Sequence, residues 1–366
     1  MVARKAVEAE WRQANPALAH KLDKFLSGEL PEIDYRSIPV KSGSATRAAS
    51  ATVLGAYAEQ VENMIVASAD LSNSDKTDGF LKKTHAFKRG DFSGKFFQAG
   101  VSEFTMACVM NGMALHGGVI PACGTFFVFS DYMKPVVRLS ALMGLHVIYI
   151  WTHDSFRVGE DGPTHQPIEQ EAQIRLMEHL HNHKGERSMV VLRPADAEET
   201  VAAWKIALEE HRPVGLVLSR QDIKSLPNHS SRLDEAMQSY KGAYTVVDSA
   251  NPEVVLLASG SEVSTLVAGA ELLMQDGVAV RVVSVPSEGL FRDQPKSYQD
   301  SVLPAGVTRY GMTSGLPVTL LGLVGSMENI HGLDHFGHSA PYKVLDAEFG
   351  YNGETVYNEV KALLSK

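Results

Sequence analysis

The 366-residue chain is poor in cysteine, with only Cys108 and Cys123. Neither sits in a CxxC pair or other metal-ligand spacing, and both lie in apolar runs, TMACVMNG and IPACGTFF. That argues against a disulfide scaffold and a Cys-based metal site, and predicts two reduced core residues in a cytoplasmic protein. Basic charge is also short: 34 Lys and Arg against 43 Asp and Glu leave a formal charge of −9. Neither nucleic acid nor an anionic membrane is therefore expected as the main partner. No apolar run approaches a membrane span, and the opening MVARKAVEAEWRQANPALAHKL is charged throughout, without a signal-peptide core. Gly-rich phosphate loops of the GxGxxG or GxxxxGK[ST] type are absent, as are fixed-period repeats and low-complexity tracts.

What is present reads as globular: 44% hydrophobic and 21% charged residues. The length exceeds what one core usually fills, so two domains are expected. Residues 3–27 have helical spacing broken at Asn15–Pro16, and GELPEIDYRSIPVKSGS has linker composition, so 1–43 reads as a helical tether. Within 44–227, helical segments alternate with the apolar runs MIVAS, HVIYI, SMVVL and VGLVL. A linker, SLPNHSSRLDEAMQSYKG, leads into a second alternation over 228–366 with VVLLA, VAVRVVSV and VTLLGL. The fold class is α/β, two domains each built on a mostly parallel sheet covered by helices.

In open α/β sheets ligands bind beyond the carboxyl ends of the strands. Asp70 and Ser74 follow MIVAS, His153 and Asp154 follow HVIYI, and Arg220 follows VGLVL. In THDSFRVGEDGPTHQP, His153 and His165 bracket an acidic Gly turn containing Glu160 and Asp161. A lone His at a strand end is ordinarily a hydrogen-bonded structural residue. The pair fits contact with substrate hydroxyls or phosphate better than metal binding, since no third ligand stands at the needed spacing. Glu103 opens an apolar helix and is either an exposed first-turn acid or a carboxylate in a drier site; the stretch alone favours the first. Phe126, Phe129 and Tyr132, three apart, would form one helical stripe, either core or a stacking surface for a heterocycle. Arg47 is an ordinary helix-start arginine or a phosphate fork. ASGSEVST offers an anion-holding turn or a plain helix cap.

Taken together, SATRAAS, SADLSNSD, GVSEFTMA, GTFFVFSDY, THDSFRVGEDGPTHQP, LRPAD, LSRQ and HFGHSAP resemble the transketolase family, with GEDGPTHQP the most specific run. The resemblance implies a pyrimidine-binding domain over 44–227 and a transketolase C-terminal domain over 228–366. It also implies thiamine diphosphate as cofactor and transfer of a two-carbon ketol unit from a ketose phosphate to an aldose phosphate in the pentose phosphate pathway. Glu103 would hydrogen-bond the aminopyrimidine and act with His165 in catalysis. Phe126, Phe129 and Tyr132 would form its pocket, with Asp70 nearby. Arg47, Ser74, His153 and Arg220 would clamp the sugar phosphate, while Asp161 and His165 would contact hydroxyls. The family's GDG…N motif, which holds the diphosphate through a divalent metal (Mg or Ca), has no match in these residues. The expectation is therefore a homodimer needing an N-terminal diphosphate-binding domain or subunit, with little turnover alone. A non-catalytic dimerisation or regulatory module, and a dihydroxyacetone synthase-like transferase, are the alternatives. At 308–315, TRYGMTSG lacks the acidic residue many relatives carry before the Gly.

Overall fold

Runs such as Met64–Ser68, Ile148–Thr152 and Val214–Leu218 are apolar at nearly every position, so they have no face to offer water and must be covered on both sides. The computed structural model, which describes residues 2–366, does this with two sheets. The first comprises β1 (Met64–Ser68), β2 (Phe96–Gln98), β3 (Ile120–Phe126), β4 (Ile148–Thr152), β5 (Val190–Leu192) and β6 (Val214–Leu218), in the order β2-β1-β3-β4-β6-β5. All its strand pairs are parallel. The second comprises β7 (Tyr244–Val247), β8 (Val254–Ala258), β9 (Val280–Ser284), β10 (Thr308–Met312) and β11 (Ile330–His331), in the order β11-β10-β8-β9-β7. Only β7 runs antiparallel to its neighbour.

The chain opens with two helices, Val2–Ala14 and Pro16–Ser27, that break at Asn15 because Pro16 fits the first turn of a new helix but not the interior of the old one. Some expectations fail locally. VTLLGL is not a strand: Pro317–Leu320 forms a 3₁₀ turn and Leu321–Val324 a short helix, and TRYGM supplies the strand instead. The presumed linker folds in part, with Ser231 capping the helix Arg232–Ala236. Cys123 is buried in β3, but Cys108 is exposed on the helix Glu103–His116, whose buried face is formed by Met106, Ala107 and Met110. Both thiols are free. No helix among the described residues is long and apolar enough to cross a membrane.

The two sheets meet across a buried ionic seam. Arg193, just past β5, holds Asp154 at 2.8 Å and forms an ion pair with Glu262 Oε2 at 2.5 Å. Arg157 donates to Glu262 Oε1 at 2.5 Å and to Asp346 at 2.6 Å. Burial pushes the Glu262 carboxyl up, but Arg193 and Arg157 outweigh it and hold the group below the usual range. The ASGSEVST turn thus serves the domain seam: Glu262, in the first turn of the helix Glu262–Gln275, is a buried counter-ion.

Candidate active site

Parallel strands β1, β3, β4 and β6 end along one edge of the first sheet, and the polar residues that follow them are brought together there. Arg47, in the first turn of the helix Thr46–Gln60, donates from Nη1 to the Ser74 carbonyl at 2.6 Å and lies 3.2 Å from His153 Nε2. The Ser74 hydroxyl is 3.4 Å from the same nitrogen. On the other side of the ring, Nδ1 is 2.8 Å from the Thr152 hydroxyl. With Arg47 as an obligate donor, the consistent assignment is a neutral ring bearing its proton on Nδ1.

The electrostatics agree. Burial first, then the charges of Arg47 and Arg220, push His153 down to about 2 from its ordinary 6.5. Burial and the nearby Arg220 lower Arg47 as well. Two guanidiniums and a ring that cannot protonate make a local excess of positive potential in an acidic protein. The backbone contributes too, since Asp70 and His153 both adopt left-handed φ, at 65° and 63°. That conformation costs a non-glycine residue and recurs at functional sites. It also turns Asp154 away from His153, toward the seam, so Asp154 is not part of this edge.

Beside the cluster lies the aromatic group, built differently from the expected helical stripe. Phe126 ends β3, Phe127–Phe129 form a 3₁₀ turn, and the helix Ser130–Met143 starts only afterwards. A 3₁₀ turn eclipses residues three apart, and the Phe126 and Phe129 rings accordingly stack 5.8 Å apart at 6°. Phe129 also stacks with Tyr132 at 6.1 Å, and Tyr132 is 63% exposed. His165 packs edge-on to Phe126 at 6.4 Å and to Phe129 at 5.5 Å.

Glu103 does open a helix, yet it is buried, contrary to the exposed reading. The β3 residue Thr125 donates its hydroxyl to Glu103 Oε1 at 3.3 Å. Thr125 precedes Phe126, so this carboxylate reaches the same strand end as the aromatic group. Asp70 is exposed near the end of β1, Arg220 is half-buried, and Asp161 is exposed on its turn without a hydrogen bond to the cluster. Sequence reasoning missed Thr125 and Thr152, the hydroxyls that orient Glu103 and His153. Their only signal is position, as the polar residues in otherwise apolar strand ends.

Comparison with known proteins places this edge in context. A family model for the transketolase pyrimidine-binding domain matches residues 42–225, and one for the transketolase-like C-terminal domain matches 242–352. The transketolase of Geobacillus stearothermophilus is 44% identical over 365 residues, covering 98% of this chain and 53% of the relative. A Pichia stipitis transketolase structure in complex with sedoheptulose-7-phosphate is similar with a TM-score of 0.86 and 34% identity, over 98% of this chain and 52% of that one. A structure described as a split-gene transketolase, an inactive β4 tetramer, shares the fold at a TM-score of 0.67 and 22% identity, over 88% of this chain and 99% of its own. The chain thus spans about half the length of the curated relatives it matches. With both domain models matched in order and the strand-end residues gathered at one edge, the chain belongs to the transketolase family, of which it carries the pyrimidine-binding and C-terminal domains.

Proposed function

We propose that this chain supplies the pyrimidine-binding and sugar-phosphate-binding part of a transketolase active site, for transfer of a two-carbon ketol unit from a ketose phosphate to an aldose phosphate. The observation that carries this reading is the convergence of Arg47, Ser74 and His153, with Arg220 close enough to depress the basicity of Arg47 and His153. Asp75 and Asp222 act on Arg47 only from a distance, short of an ion pair, so the cluster suits a phosphate, which accepts charge-assisted hydrogen bonds from several directions. The complex of the Pichia stipitis protein with a ketose phosphate supports the same substrate class.

The donor set also fits the aminopyrimidine of thiamine diphosphate. Glu103 is buried with a hydroxyl at one oxygen, so lone pairs remain for a ligand N–H. Phe129, half-buried and flanked by Phe126 and Tyr132, offers an aromatic face for stacking. When bound, the cofactor supplies carbanion chemistry at the ketose carbonyl. Glu103 holds and polarises the pyrimidine, His165 and Asp161 bind hydroxyls near the reacting carbon, and the cationic cluster fixes the far phosphate. Asp70 stands at the cofactor side. The diphosphate and its Mg or Ca ion are assigned to a diphosphate-binding domain, on a longer chain or a partner subunit, with two copies of this chain in the assembly. The inactive β4 state of the split-gene protein of this fold supports that division.

The test is reconstitution with a diphosphate-binding domain, thiamine diphosphate and Mg, followed by ketol transfer between sugar phosphates. Glu103→Ala is expected to lower kcat by roughly 100-fold or more. Undiminished transfer by Glu103→Ala would overturn the proposal, as would no transfer from a folded, assembled complex.

A further inference from the structure

The run HFGHSAP lies outside the strand-end cluster, yet it is packed against the turn that carries Asp161 and His165. Gln166, the residue after His165, is buried and donates from Nε2 to the Gly159 carbonyl and to the His338 carbonyl, both at 2.9 Å. Those bonds use both hydrogens of the amide. Ser339 donates its hydroxyl to the Glu160 carbonyl at 2.5 Å. The fit leaves no spare room: a Cβ on Gly337 would fall 1.7 Å from Gln166 Oε1, and one on Gly162 3.2 Å from Ser339 Cβ. Within the turn, Gly162 N–H bonds to Gly159 O and His165 N–H to Gly162 O, each at 3.0 Å. The turn is therefore closed on itself, and a single side chain joins both its ends to the second domain.

We propose that Gln166 is a positioning residue that fixes the 159–166 turn on the 336–339 segment, so that the C-terminal domain determines where Asp161 and His165 stand. This rests on reading those two residues as sugar contacts, and it gives the C-terminal domain a part in the substrate site. Packing alone is a poor account of Gln166. Its Oε1 is buried without a hydrogen-bond partner, a cost that an apolar side chain of similar size would avoid. What the amide provides in return is a pair of donors spanning two domains.

Hydrogen exchange on the full chain tests the inference without depending on turnover. In Gln166→Ala, amides of 159–166 should exchange at least roughly tenfold faster, while those of β8 and β9 keep their protection. Gly337→Ala should reproduce the effect by displacing Gln166. In the Gln166→Ala background it should add little, because the opposing oxygen is gone. Unchanged exchange across the turn in Gln166→Ala would overturn the proposal, and so would a uniform loss of protection throughout the chain. Strictly additive effects of the two substitutions would also count against it. Should Gly337→Ala not fold, Gln166→Ala and the double variant still decide the question. A folded complex without ketol transfer would refute the proposed function and leave the exchange result readable.

Discussion

The Phe126 and His153 rings lie face to face, with centroids 3.6 Å apart and planes 28° apart. They come from neighbouring strands, since Phe126 pairs with Thr152 in the β3–β4 ladder. The stack sets the plane of the imidazole, which lets Nε2 address Arg47 and Ser74 while Nδ1 addresses Thr152. One aromatic residue thereby links the cationic cluster to the aromatic group.

A neutral, buried His153 gives stability a definite pH dependence. Its folded value is about 2 against 6.5 in the unfolded chain, so between those limits the unfolded state binds the extra proton. This contribution is fully present above pH 6.5 and is lost as pH falls toward 2, by up to about 1.4 kcal/mol per pH unit. Urea unfolding from pH 7 to pH 4.5 should therefore show a steeper loss for the native chain than for His153→Gln. Parallel profiles would contradict the assignment.

Arg47 and Arg220 predict an anion effect on the same cluster. Saturating inorganic phosphate should raise Tm by roughly 2–4 °C over chloride at equal ionic strength, since a ligand that binds only the folded state stabilises it. Arg47→Met and Arg220→Met should each remove most of that gain. A phosphate effect that survives both substitutions would place the anion elsewhere.

The sequence discloses the site better than it discloses the elements around it. Strands β1, β4, β6 and β8 are legible because burial on both faces demands unbroken apolar runs. The central β3, IPACGTF, was hidden by Pro121 and Gly124, which ordinarily argue against a core strand. Gly124 is required there: a Cβ would stand 2.7 Å from Thr77 Cγ2 and 3.0 Å from Asp75 Oδ2. The strand-end polar residues could be read from the chain because topology alone sends them to one edge. The seam joining Arg193, Asp154 and Glu262 could not, since its members are separated in sequence and Glu262 reaches Arg193 only when the second domain docks on the first.

That seam makes Glu262 a strong stability determinant. Its carboxylate faces both Arg193 and Arg157, and all three side chains are buried. Truncation leaves two guanidiniums with fewer counter-ions, and removing one partner of a buried pair typically costs about 3–5 kcal/mol. Glu262→Ala should therefore lose stability on that scale in urea unfolding. A change below about 1 kcal/mol, the range of exposed pairs, would show that the seam is solvated.

The two phenylalanines should separate cofactor from phosphate binding. Phe129 stacks with Phe126 and Tyr132 but has no stacking contact with His153, whereas Phe126 stacks with both Phe129 and His153. Phe129→Ala should then weaken thiamine diphosphate in the reconstituted complex by about 1–3 kcal/mol, the usual worth of an aromatic stacking partner. It should leave the phosphate-dependent rise in Tm intact. Phe126→Ala should diminish both, because the His153 ring loses the surface that holds its plane. Calorimetric titration of the cofactor and phosphate-dependent melting on the same two variants provide the check. If Phe126→Ala weakens only the cofactor, the Phe126–His153 stack is packing without consequence for the cationic cluster.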